Sequence, residues 1–276
     1  MRFNKSVRIG RWRMPVANDR MCPIVSHTMP FQWAKEGSVV AGLLDEFRAD
    51  VEKVFGEDLV SLTMYGSHAS DVPEAGSDVS VLIVVRKLRK EALLAYRAIA
   101  HRYARRGIPA PPIFTESFLK ESSDVFPLEF LGMAERRRVL FGKDVVEELE
   151  ITTENLRHQV EFEMKGKLLS LRRMYVGAFG NKELLTLLKE TVGSVVSVAR
   201  GLLLLTDHGA PHGKTEIVDE IEKRFGIALP FLREALAVRS GEKIPQARAE
   251  DLFFGYQDEV EKLCSLADSF QAGSGK

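Results

Sequence analysis

Between Leu59 and Val85 the chain reads LVSLTMYGSHASDVPEAGSDVSVLIVV, and its polar residues are spaced for handling phosphate. An apolar run stops abruptly at Gly66-Ser67. Gly66 carries no side chain, so a ligand can approach the backbone closely there. Successive N–H groups in such a turn form a concave anion nest, and the Ser67 hydroxyl adds a further donor. After a polar loop with Asp71, Pro73, Glu74 and Gly76, Ser77-Asp78 opens a second apolar run. Strand side chains alternate, so Asp78 and Ser80 share one face of that run. A carboxylate facing a phosphate nest is where a nucleotide-borne Mg²⁺ would sit, because that ion takes carboxylate and phosphate oxygens together.

The elements that must position these groups are legible from periodicity. Val39, Val40, Leu43, Leu44, Phe47, Val51 and Val54 recur three or four apart, which predicts an amphipathic helix ended by Gly56. Leu59–Tyr65 and Asp78–Val85 read as strands rich in apolar and β-branched residues. A helix is predicted over 87–106, with Leu88, Leu93, Leu94, Tyr96, Ile99 and Tyr103 inward and a basic face outward. Ile113-Phe114 and Pro127–Met133 suggest two more strands. Beyond Lys143 the pattern turns helical. Leu156, Val160, Met164, Leu168, Leu171 and Tyr175 form one stripe, and a second long helix runs from Leu184 to Leu205. Shorter helices follow at about 215–225, 229–239 and 248–269. An α/β half therefore precedes an all-helical half.

Composition narrows the function classes. The 39 basic and 39 acidic residues cancel, so no global field attracts nucleic acid. The balance is uneven, since residues 1–28 carry Arg2, Lys5, Arg8, Arg11, Arg13 and Arg20 against Asp19 alone. Residues 1–30 lack periodicity and read as a disordered basic tail, or as an over-extended start upstream of Met29. No apolar run is long enough to span a membrane, and no secretory signal is expected at the start. Cys22 and Cys264 offer neither a disulfide framework nor a CxxC metal site and suit a cytoplasmic protein. The histidines lack metal-ligand spacing. His68 is expected to be a polar loop residue, Arg102, Arg105 and Arg106 a solvated helix end, and Arg136–Arg138 a solvated face. Glu161–Lys165 and Glu163–Lys167 are spaced as surface i,i+4 pairs.

The order strand, Gly66-Ser67, polar loop, Ser77-Asp78, apolar strand resembles the DNA polymerase β-like nucleotidyltransferase superfamily, nearest its kanamycin and minimal nucleotidyltransferase branch. The likeness is strong over residues 59–86 and looser to about residue 143. It implies an α/β (α+β) nucleotidyltransferase domain with a mixed sheet over residues 32–145, then an all-helical bundle over 151–270 that chooses the acceptor. The implied reaction transfers NMP from an NTP, ATP first among them, to an acceptor hydroxyl on a small molecule or macromolecule, with Mg²⁺ or Mn²⁺. Gly66, Ser67 and Ser77 would hold the nucleotide. Asp78 would hold metal together with Glu129, the residue matching the family's third carboxylate, with Asp124 as its competitor. Val139–Gly142 looks like the family's turn that follows. The family's second aspartate is Ser80 here, a neutral and poor Mg²⁺ ligand. Glu161, or Glu163, would be the general base. The departure at Ser80 leaves three readings: a transferase with a depleted metal site, a nucleotide-binding or regulatory module, or an antitoxin-like protein that binds a partner. A homodimer or hetero-partner would use the helical half.

Overall fold

The protein's structure, a computed structural model, describes residues 37–69, 78–206 and 209–270. Residues 1–30, Asp71, Glu74 and Ser77, all named above, lie outside the described residues. The chain forms two compact units. One runs to Ser123 and resumes at Glu129–Glu150, while the other joins Asp124–Leu128 to the chain from Ile151 onward.

The first unit is built on a mixed four-stranded sheet. Helix α1 (Gly37–Phe55) leads into β1 (Leu59–Tyr65), and β2 (Ser80–Val85) returns antiparallel to it. Helix α2 (Lys90–Ala104) crosses over to β3 (Ile113–Thr115), which lies parallel to β2. Two short helices, α3 (Glu116–Glu121) and α4 (Pro127–Glu135), then bring the chain to β4 (Arg137–Gly142), antiparallel to β1. The resulting order is β3-β2-β1-β4. Cross-strand partners point to the same side, so Leu62, Met64, Val81 and Ile83 form one apolar face, buried against α1 and α2. Ser61, Thr63, Tyr65, Ser80, Leu82 and Val84 take the opposite face. There the hydroxyls of Ser61 and Thr63, both fully buried, bond to each other at 3.1 Å. Gly142 is needed at the end of β4 because φ is +74° and a Cβ would stand 2.0 Å from the Val60 carbonyl oxygen.

Three local expectations change in this unit. Pro127–Met133 is helix rather than strand, with Phe130 and Met133 on its buried side one turn apart. The segment's edge strand is instead Arg137–Gly142, which includes the Val139–Gly142 stretch. On α2 the core takes Tyr96, Tyr103 and part of Ile99, whereas Leu88, Leu93 and Leu94 are exposed. The reason lies in α1: Phe47 meets the Tyr103 ring edge-on at 4.9 Å, and Asp50 accepts a 2.6 Å hydrogen bond from the Tyr103 hydroxyl. Those contacts rotate the tyrosine row inward and leave the leucines outside.

The second unit holds α5 (Thr153–Gly177), α6 (Asn181–Leu204), α7 (Lys214–Phe225), α8 (Pro230–Arg239) and α9 (Ala249–Ser269). Thr152 caps α5, its hydroxyl accepting from the Asn155 N–H at 3.2 Å, and Pro230 opens α8 where its missing N–H costs nothing. Helix α6 is the central member, apolar along most of its surface and packed by the other four. Close approach depends on Gly201, whose Cβ would meet Val160 at 2.3 Å and Leu128 at 2.9 Å. Glu259 of α9 is buried at the start of α8, where its carboxylate accepts from the Phe231 and Leu232 N–H groups at 3.1 and 2.6 Å. Burial raises its pKa, against the pull of those two donors.

Candidate nucleotide site

Three elements converge at the end of the sheet where β1 stops. Gly66 follows Tyr65 with φ +80°, a left-handed conformation that glycine enters without cost. Its N–H donates to the Arg136 carbonyl at 2.9 Å, just before β4, and its own carbonyl accepts from the Ala69 N–H at 3.0 Å. Ser67–Ala69 thus close a single tight turn. The anion nest expected from the sequence loses one donor, because the sheet ladder extends one step further and engages the Gly66 amide. The Ala69 amide is engaged as well, by the Gly66 carbonyl, so two of the turn's backbone donors are spent within the fold.

On the neighbouring strand, Tyr65 pairs with Ser80, which brings the entry to β2 alongside the turn. Asp78 is exposed two residues upstream, just before β2 begins. Val79 between them is buried, and its N–H donates at 2.8 Å to the carbonyl of Gly107, a left-handed residue just past α2. This tie anchors the backbone that carries Asp78. A glycine shortly after a helical run is the usual stop signal and marks Gly107 in the sequence, but nothing there ties it to Val79. Ser80 is half-buried on the face it shares with Tyr65. Burial raises the pKa of the Tyr65 phenol, which keeps it a neutral hydrogen-bonding group.

The remaining candidates lie on other elements. Glu129 is an exposed residue in the first turn of α4, so the strand expected to present it does not exist. Asp124 is exposed in the loop before α4. Neither β3 nor β4 carries a carboxylate. Glu116, at the start of α3, is held by Lys143 at 2.7 Å, and that contact lowers its pKa. Glu161 belongs to the helical unit, clasped by Arg157 at 2.7 Å and Lys165 at 2.6 Å. Lys165 first, and Arg157 with it, lowers the Glu161 pKa and so weakens it as a base. Glu163 accepts from Gln159 at 2.7 Å rather than pairing with Lys167. Arg102, Arg105 and Arg106 are exposed, as expected of a solvated helix end, whereas Arg136 and Arg137 are half-buried and only Arg138 of that run is exposed. Arg102 and Arg106 reach Asp50 and Glu46 on α1, and Arg137 binds both oxygens of Asp144 and the Ala134 carbonyl. Arg200 donates to the carbonyls of Ala210 and Pro211. In an open depression by Pro211, Asp219, Glu220 and Arg224, Glu220 pairs with Arg224 and Asp219 with Arg233.

Among the described residues no three His, Cys, Asp or Glu side chains gather as a metal-binding group. A two-ion centre needs several bridging carboxylates, and the described residues do not assemble one. A single Mg²⁺ is different, because it binds through one or two carboxylates, water and the phosphates of its nucleotide. Asp78, exposed beside the Gly66-Ser67 turn, fits that more modest requirement.

No protein-family model matches the chain. It is 27% identical over 109 residues to a Methanocaldococcus jannaschii protein whose description as a protein adenylyltransferase is itself provisional, covering 37% of this chain and 71% of that one. Among solved structures it is similar to the spectinomycin adenyltransferase of Enterococcus faecialis, determined with ATP and spectinomycin. That match has a TM-score of 0.55 at 13% identity and covers 83% of this chain and 99% of the other. The mixed sheet followed by helices is therefore a nucleotidyltransferase fold, and the two comparisons together support that superfamily.

Proposed function

We propose that this chain is a nucleotidyltransferase that moves AMP from ATP to an acceptor hydroxyl. The supporting observation is the Tyr65–Ser80 pairing, which sets the Gly66-Ser67 turn beside the strand entry carrying Asp78. In the proposed reaction the acceptor oxygen attacks the α-phosphorus in line. The new O–P bond forms as the bond to the bridging oxygen breaks, and pyrophosphate leaves with the electron pair. Gly66, by letting a ligand approach its backbone closely, and Ser67 orient the terminal phosphates, with Ser77 as a further donor. Mg²⁺ or Mn²⁺, held by Asp78 with Glu129 as the proposed second carboxylate, would offset charge on the leaving group. Glu161 is the proposed base for the acceptor proton, a task that requires Lys165 to turn aside. The acceptor of the M. jannaschii relative, by its description, is a protein, and the spectinomycin enzyme was determined with a small-molecule acceptor. Both classes are open to this chain.

Neutral Ser80 and the lack of a three-carboxylate group among the described residues favour a second reading, a nucleotide-binding module without turnover. Transfer of label from α-labelled ATP, in cell extract with Mg²⁺ or Mn²⁺, separates the two. Wild type should transfer label and Asp78→Ala should not. A silent wild type with an active Ser80→Asp variant would identify a binding module, while equal transfer by wild type and Asp78→Ala would refute the site.

A further inference from the structure

Helix α2 has two faces of different chemistry. Its inner face buries Tyr96 and Tyr103 and turns Arg102 and Arg106 towards the carboxylates of α1. Along its outer face Lys90, Leu94, Arg97, His101 and Arg105 recur three or four residues apart, all exposed. Leu93 and Leu94 are 42% and 53% exposed, and Leu88 in the preceding loop is 39% exposed beside Lys87. From Arg86 to Arg106 eight lysines and arginines face Glu91 as the sole acidic residue. Arg86, Arg89, Arg102 and Arg106 have partners within the unit. Lys87, Lys90, Arg97 and Arg105 have no carboxylate partner among the described residues.

Exposed leucines and a row of like-charged cations are two separate features of this face, and one kind of partner answers both. A nucleic acid would answer the charges alone. Stacking on bases needs exposed aromatic rings, and both tyrosines of α2 are turned into the core. An acidic amphipathic helix supplies carboxylates and an apolar row at the same helical spacing. The outer face of α2, 15 residues and so about 22 Å long, offers roughly four turns of such contact.

We propose that the outer face of α2 docks an acidic amphipathic helix of a protein partner, with carboxylates on Lys90, Arg97 and Arg105 and apolar side chains on Leu88, Leu93 and Leu94. The helix ends beside Gly107, whose carbonyl holds the backbone next to Asp78. The docked protein is thereby led towards the nucleotide site. Its role as the acceptor rests on the nucleotidyl-transfer reading; the docking itself does not.

The test is fluorescence anisotropy of a labelled helical peptide of about five turns, with one row of glutamates and one of leucines, titrated with the full chain. A duplex oligonucleotide of equal charge and phosphatidylcholine vesicles containing phosphatidylglycerol serve as competing probes. The peptide should bind wild type. Lys90→Glu/Arg97→Glu should weaken it by about tenfold or more, and Leu93→Ser/Leu94→Ser by about fivefold. The milder Lys90→Gln/Arg97→Gln pair covers the case of a charge-reversed variant that fails to fold. Failure of the peptide to bind at low salt would overturn the proposal. So would binding indifferent to the leucines, or tighter binding of the duplex or the vesicles through the same cations. Nucleotide binding, followed in the same variants and expected to be unchanged, keeps failure of this surface distinct from failure of the nucleotide site.

Discussion

At the scale of single residues, Gly66 is the position whose backbone the site cannot do without. Its φ of +80° lies in the region L side chains rarely adopt, yet no atom lies within 4 Å of where its Cβ would be. A substitution is therefore opposed by backbone conformation and not by crowding. Gly66→Ala should cost about 1 kcal/mol in urea unfolding and weaken nucleotide binding. Gly66→Asn, which tolerates left-handed backbone, should recover much of both. Equal behaviour of the two variants would mean that the turn relaxes to another conformation. Asp78 differs in kind: it is exposed and adds little to stability, so Asp78→Ala separates loss of function from loss of fold.

At the scale of elements, carboxylates tie the helices of the second unit to one another with opposite titration behaviour. Glu222 of α7 accepts the Leu229 N–H at 2.7 Å and pairs with Arg233 of α8. The arginine first, and the amide after it, holds the Glu222 pKa below the ordinary carboxylate value. A depressed folded pKa stabilises above the unfolded value, near 4.3, and the contribution is lost as pH falls through the folded value. Glu222→Gln should thus lower stability by about 1–2 kcal/mol at pH 7, and the gap to wild type should close on acidification below pH ~4. Urea midpoints across that range test this, and a gap that stays constant with pH would refute it. Glu259, raised by burial, acts with the reverse sign, since its charged form is the one the folded state disfavours.

At the scale of the whole molecule, the two units are not two simple halves of the chain. Asp124–Leu128 lies within the first half of the sequence but belongs to the helical unit. The Leu128 N–H donates to Gln159 of α5 at 2.8 Å, and its side chain sits with Val160 over Gly201. Leu128→Ala, at a partly buried position, should destabilise the helical unit by about 1–2 kcal/mol. Hydrogen exchange should then show α6 amides losing protection while β1 and β2 keep theirs. Loss confined to the sheet would contradict the assignment of this segment. The same scale limits what fold likeness conveys, because a shared nucleotidyltransferase fold fixes where a site is built and not which acceptor it serves.

The sequence by itself determined those features that depend on local periodicity and on special backbone residues. The alternation around Gly66-Ser67 and Asp78 announced two strands and the turn between them, and the stripe from Leu156 to Tyr175 announced α5. Where two local patterns were nearly balanced, only tertiary contacts decided. Pro127–Met133 is a short apolar run, equally readable as strand or helix, and burial of Phe130 and Met133 one turn apart resolved it as helix. Helix α2 offered a leucine row and a tyrosine row, and Phe47 and Asp50 of α1, distant in sequence, selected the tyrosines for the core. The Gly66 amide looked available for an anion until β4 arrived to accept its hydrogen bond. Glu161 looked like a simple surface pair with Lys165, and Arg157 on its other side makes it a clasped, weakened base. Periodicity registers which side chains alternate along one element, but the partner that satisfies a hydrogen bond, shifts a pKa or claims a face comes from another part of the chain.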